Sequence, residues 1–282
     1  MSAFTLINSL EKLELEFKSN GIDYTSPGFY DSEVFLQKEQ ENRDYLCHYA
    51  SYVNNVAYTQ EYLRKAEREI PFIAELLFRE LVKDGRLGAC IDASSVLSRI
   101  LELEGFWNYT VKGSLTIKFD PNLGITTKHF WAADLVENPD IKAAHVWVVA
   151  PPFKVVDITV SRQPYQYKEQ DYIPNYVCTT AGAECEINEI DLISPDYSRL
   201  LTRQGVLGNK LRHIKRGFDE FTSNFKPLLI EFSSVSLKYV QIGISAPDLP
   251  LEQITALNLS GKLGVEFYKD VIRPELFKLR AQ

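Results

Sequence analysis

The sequence predicts an α+β fold with an antiparallel sheet. From Ser32 to about Lys83 the chain has few glycines and many Glu, Gln, Arg and Leu, the texture of helices. Beyond Gly105 the runs turn rich in β-branched and aromatic residues, with turn signals such as Asp120-Pro121-Asn122 and Pro151-Pro152 between them. Helices followed by strands, rather than the two in alternation, is the pattern of an α+β protein. With 282 residues, 45% of them hydrophobic and 24% charged, the chain can bury a substantial core without metal or disulfide staples.

Taken in order, residues 4–17 read as an amphipathic helix that ends at the Asn20-Gly21 turn. In the helical stretch that follows, Pro71 comes after the charged run Arg64 to Glu69 and is expected at a helix start. Asp84-Gly85 and Gly88 interrupt the pattern. From Cys90 to Glu104, Ala93, Val96, Leu97, Ile100 and Leu101 fall at i, i+3, i+4, i+7 and i+8, one buried face of a helix. Gly105 supplies its stop. Strands are expected at Thr110–Phe119, His129–Val136, His145–Ala150 and Phe153–Val160, with a turn at Asn138-Pro139-Asp140. Residues 161–200 read as loop-rich and Leu200–Phe225 as helical. Two strands are expected in 228–246 and another in 262–270. The chain divides into a helical region over 1–84, a core over 85–225, and a C-terminal part over 226–282 that extends the core or forms a small subdomain.

A formal net charge of −7 argues against general affinity for nucleic acid or an anionic membrane. The basic run Lys210, Arg212, Lys215 and Arg216 reads as a solvated helix face. The four cysteines, Cys47, Cys90, Cys178 and Cys185, form no CxxC pair and no disulfide framework. Cys178 and Cys185, with Glu184 and Glu186 nearby, have poor spacing for zinc and no histidine close by, so neither metal nor cofactor is expected. No phosphate-binding glycine loop is present. The first residues carry no basic, apolar leader pattern, and no stretch approaches the length of a membrane span. A reducing cytoplasm fits best.

The chemistry concentrates at three residues. Gly88 leaves Cys90 in or next to the first helical turn, where unpaired N–H groups favour a thiolate and can hold an oxyanion; Asp92 in the same turn opposes this. His145 shares a strand face with Trp147, and Asp157 shares one with Val155 and Thr159. A three-residue hairpin loop, Ala150-Pro151-Pro152, pairs Val149 with Phe153 and sets His145 directly opposite Asp157. A loop of two or four residues would put them on opposite faces. A carboxylate in register fixes the imidazole tautomer and leaves the second nitrogen for a thiol. His129, in a second His-x-Trp run with Asp134 downstream, is the competing base. His48 and His213 read as surface or capping residues, and Trp107, Trp131 and Trp147 as core or cleft wall.

These residues fall into a pattern: Cys90-Ile91-Asp92-Ala93 at a helix start, Gly105 fifteen positions on, Val111-Lys112-Gly113 on the next strand, then His145-Val146-Trp147 and Asp157-Ile158-Thr159. In order, spacing and strand character the pattern resembles the transglutaminase-like superfamily, within the papain-like group, over roughly residues 85–160. Three features depart from the family: Phe106-Trp107-Asn108-Tyr109 replaces the usual Ile-Pro-Ala-Arg, the alanine sits one position early with Ser94 in its usual place, and the His-to-Asp interval is short. The resemblance implies a catalytic helix packed on an antiparallel sheet and a Cys90–His145–Asp157 triad. It implies acyl transfer through a thioester, with a protein or peptide amide as substrate and water or an amine as acceptor. An acyltransferase resembling the arylamine acetyltransferases and a non-catalytic binding module of the same fold remain open alternatives.

Overall fold

The computed structural model describes residues 6–134, 145–166, 168–215 and 217–282. The expected Asn138-Pro139-Asp140 turn, the last two residues of the expected strand at 129–136, and Arg216 lie outside them. The chain begins with α1 (Leu10–Ser19), α2 (Glu33–Glu41), α3 (Leu46–Asn55), α4 (Gln60–Lys83) and α5 (Cys90–Leu103). Pro71 lies in the interior of α4, not at a helix start. An internal proline lacks the N–H for the i→i−4 bond and costs about 3 kcal/mol. The helix continues because Ile70, Ile73, Leu77 and Leu81 lie in one buried stripe. Each such side chain contributes about 1.5–3 kcal/mol on burial, so four of them outweigh the proline. α5 ends where the glycine stop places it: Gly105 takes φ 81°, and the Phe106 N–H closes on the Leu101 carbonyl at 2.8 Å.

The strands are β1 (Tyr109–Phe119), β2 (Lys128–Phe130), β3 (His145–Ala150), β4 (Phe153–Asp157), β5 (Val177–Thr179) and β6 (Ala183–Glu184). Short helices α6 (Glu189–Leu192), α7 (Pro195–Arg203) and α8 (Phe218–Asn224) follow, then β7 (Leu228–Glu231) and β8 (Val235–Ser245). The chain closes on a small ribbon, β9 (Asn258–Leu259) and β10 (Lys262–Leu263), then α9 (Gly264–Phe267) and α10 (Arg273–Arg280). Two expectations change here. The helix expected over Leu200–Phe225 is two helices, because Gly205, Gly208 and Gly217 all take positive φ between them. The strand expected over 262–270 becomes helix after Leu263, since the Glu266 carboxylate accepts the Leu263 N–H at 2.8 Å and starts α9.

The main sheet runs β5-β4-β3-β1-β8-β7-β6, with β2 also on β1, and every pairing is antiparallel. The C-terminal strands β7 and β8 therefore belong to the same sheet as β3 and β4, which carry His145 and Asp157. A flat sheet of this order would hold β5 and β6 about 29 Å apart at the usual strand spacing. Residues 180–182 alone connect the two strands, a reach of roughly 14 Å. The sheet must curl to bring its edges together. One of its faces carries Val111, Leu115, Ile117, Trp147, Val155, Leu237 and Tyr239, which join Phe17, Tyr49 and Tyr52 of the N-terminal helices in one core. The other face, through Val148, Ala150 and Val156, packs under α4, α5 and the C-terminal helices. α5 lies on β3, and the Ser94 hydroxyl donates to the Val146 carbonyl at 3.2 Å. No helix among the described residues is long and apolar enough to cross a membrane.

Candidate active site

Cys90 is the first residue of α5 and is buried. No side chain caps this helix start, so its first N–H groups carry no such partner. The approach is fixed from the hairpin that carries His145 and Asp157: the Gly88 N–H donates to the Arg162 carbonyl at 2.8 Å, and Arg162 sits in the 3-10 turn just beyond β4. Gly88 takes φ 67°, the left-handed turn that leads the chain into the helix. Asp92 in the same turn lies 3.9 Å from Arg86, which offsets part of its charge.

The β3–β4 hairpin reaches the expected result by a different route. Ala150 pairs with Phe153 and Val148 with Val156, and the register shifts between the two pairs. The connection is thus the two residues Pro151-Pro152, which alone would put His145 and Asp157 on opposite faces. A β-bulge adds one residue to β4 and returns them to the same face. Continued past the bulge, the register sets Trp147 opposite Asp157 and leaves His145 as its diagonal neighbour. A diagonal pair is farther apart, about 7–8 Å, and needs the longer reach of the ring. It is the distal nitrogen, Nε2, that meets Asp157 Oδ2, at 2.6 Å.

The motif residues around this pair have physical duties. Gly113 pairs with His145 across β1 and β3. A Cβ there would lie 2.3 Å from the Val240 carbonyl oxygen and 2.5 Å from Cη2 of Trp147, so the indole occupies the space a side chain would need. The Thr159 N–H and hydroxyl both donate to Asp157 Oδ1, at 2.9 and 3.0 Å. The sequence pattern did not point to Tyr239. Its hydroxyl donates to Asp157 Oδ2 at 2.9 Å, and its ring meets Trp147 edge-on with centroids 5.0 Å apart. Tyr239 lies on β8, and only the pairing of β8 with β1 brings it here.

His145 and Asp157 are 0% and 1% exposed. Burial pushes the Asp157 carboxyl up, but His145, Thr159 and Tyr239 together hold it below the usual range. Burial works against a charged His145. Asp157 and then Cys90 outweigh it and raise the imidazole to about 10. The pairing thus favours the charged imidazole and the charged carboxylate together. The remaining ring nitrogen, Nδ1, is buried and makes no formed hydrogen bond. Cys90 lies near enough to the ring to add to its raised pKa, without a formed hydrogen bond to Nδ1. Burial raises the other thiols, Cys47 and Cys178 to about 12 and Cys185 less far.

The remaining candidates have other surroundings. His129 pairs with Thr116 in the β1–β2 ladder, one position from Phe130, so its ring projects from the face opposite His145. Its Nδ1 is 3.1 Å from the Thr116 hydroxyl, and it stacks on Trp131. Burial lowers its pKa. His48, expected at the surface, is buried in α3 against Tyr45. His213 is exposed. Trp147 is core, and Trp107 packs on Phe29 and Tyr52. The basic run is neutralised in pairs: Lys210 with Glu189, Arg212 with Asp219 and Lys215 with Asp44. Among the described residues no three His, Cys, Asp or Glu side chains gather as metal ligands. No known family model matches the chain, and comparisons with curated proteins and with solved structures give no match either.

Proposed function

We propose that the chain is a cysteine-dependent acyl-transfer enzyme of the papain/transglutaminase type, acting on a protein or peptide amide. One observation carries this reading: the His145 ring is held by Asp157 through Nε2 and keeps Nδ1 without a partner, while the thiol acting on the ring sits at the uncapped start of a helix. Cys90 is the nucleophile, His145 the acid and base, and Asp157 the group that orients the ring. The Cys90 thiol gives its proton to His145 Nδ1, the sulfur attacks the amide carbonyl carbon, and the π electrons move to oxygen, where the first-turn N–H groups of α5 receive the charge. The imidazolium gives its Nδ1 proton to the leaving amine, the C–N bond breaks and a thioester remains. Nδ1 then takes a proton from water or an amine, which attacks the thioester, and the sulfur leaves as thiolate. The burial of the pair keeps bulk water off the ring, where the Asp157 charge acts in a low dielectric.

The test is iodoacetamide labelling at pH 6, read by peptide mass spectrometry. Cys90 is expected to react at least about tenfold faster than Cys47, Cys178 and Cys185, because it alone of the four has an imidazole base to take its proton. Cys90→Ala is expected to keep the fold and lose all turnover of peptide amides. Equal slow rates at all four thiols would reduce the site to a buried His–Asp pair in a scaffold.

A further inference from the structure

Asp157 receives four hydrogen bonds. Thr159 supplies two on Oδ1, while Oδ2 takes both His145 Nε2 and the Tyr239 hydroxyl. Tyr239 comes from β8, in the last quarter of the chain, far outside the stretch that carries the motif. It is 1% exposed, and its ring packs against both Trp147 and His145, at 5.0 and 6.4 Å between centroids. A core position needs no hydroxyl; phenylalanine would fill the same space. Burying that hydroxyl is favourable only with an acceptor, and its acceptor is the very oxygen that holds the histidine.

We infer that Tyr239 is a positioning residue of the triad: by sharing Asp157 Oδ2 with His145 it fixes the carboxylate's rotation and moderates its pull on the imidazole proton. This rests on the acyl-transfer reading only for its catalytic meaning; the Tyr239–Asp157–His145 chain stands on geometry. A hydroxyl that donates to a carboxylate withdraws part of its negative charge. Without that donor Asp157 attracts the imidazolium more strongly, and His145 holds its proton to higher pH. A stronger donor does the reverse. The other titratable groups near the pair are Cys90 at the start of α5 and Tyr165, which follows the turn after β4 and feels Asp157. Phe130 from β2 and Trp147 from β3 present only rings to His145.

The experiment is a pH titration of the His145 imidazole by nitrogen NMR on the full chain, in wild type, Tyr239→Phe and a protein carrying trifluorotyrosine at position 239. Removing the hydroxyl is expected to raise the imidazole's pKa, and the fluorinated, more acidic phenol to lower it, each by roughly half to one pH unit. In an Asp157→Asn background Tyr239→Phe should shift nothing further, since Tyr239 acts through that carboxylate. The fluorinated protein keeps the side chain's shape and decides the matter if Tyr239→Phe does not fold. Identical titrations in wild type and the fluorinated protein would overturn the inference. Slow Cys90 labelling with the expected NMR shifts would sink the acyl-transfer reading and leave the Tyr239 linkage standing. Fast labelling with unmoved titrations would do the opposite.

Discussion

At the scale of single residues, the fine tuning of the site is steric as much as electrostatic. Gly113 is the clearest case. The sequence shows it as the end of Val111-Lys112-Gly113, and the structure supplies the reason: the Trp147 indole and the Val240 carbonyl already occupy the place of a Cβ. A backbone oxygen at 2.3 Å cannot rotate away as a flexible side chain can. Gly113→Ala is therefore expected to lower stability by about 1–3 kcal/mol or more, as overpacking does, and to disturb His145 across the ladder. Gly243, paired with the neighbouring Lys112 on β8, has nothing within 4 Å of its missing Cβ. Gly243→Ala should leave the urea midpoint nearly unchanged. Equal midpoints for the two variants would refute this packing argument. The helix-start place of Cys90 and the shared face of His145 and Asp157 were readable because each carries its own local signal. Tyr239 had none, because its duty depends on which strand lies beside β1.

At the scale of elements, legibility followed how local the causes are. α5 declares itself by periodicity and a glycine stop, and β3 by a run of β-branched and aromatic residues between turns; both were found at their expected places. The hairpin between β3 and β4 shows the limit. The expected three-residue loop and the observed two-residue connection with a bulge give the same facing residues, so the right face was reached through the wrong register. A bulge leaves no mark that a period-2 pattern can report. Pro71 shows the converse, a strong local signal overridden by packing. Its ring removes one helical bond in α4, while the buried stripe on either side holds the helix together. Pro71→Ala restores that N–H and is expected to stabilise the protein. The gain should be about 2–2.5 kcal/mol, the helix-interior cost of proline less the entropy returned to the unfolded chain. Thermal or urea unfolding would check it. A lower midpoint for Pro71→Ala would mean that α4 needs the proline's shape.

At the scale of the molecule, the parts that the sequence separates are tied together by buried charge. Arg99, on the helix that begins with Cys90, donates to Asp31 before α2, to Glu102 on its own helix at 2.9 Å, and to the Pro247 and Leu249 carbonyls beyond β8, at 2.7 and 3.0 Å. One side chain thus joins the N-terminal helices, α5 and the C-terminal segment. Sequence periodicity puts position 99 on a helix but cannot say that three distant segments converge there. Glu102 depends on it: burial raises the Glu102 carboxyl, and Arg99 and the Tyr30 hydroxyl only partly counter this. In Arg99→Met the carboxyl loses its cation and stays buried, so its folded pKa rises further above the unfolded value. A carboxyl raised in this way stabilises the fold below its unfolded pKa and withdraws that stability as pH climbs through the folded value. Arg99→Met is therefore expected to cost about 3–5 kcal/mol at pH 7, the usual loss when one partner of a buried pair is removed, and distinctly less near pH 4. Adding Glu102→Gln should recover part of the neutral-pH loss and flatten the pH dependence. Urea midpoints across pH 4–8 for the single and double variants would decide it. A loss that is the same at every pH would mean that Arg99 holds the three segments through its carbonyl contacts and packing alone, with Glu102 a bystander.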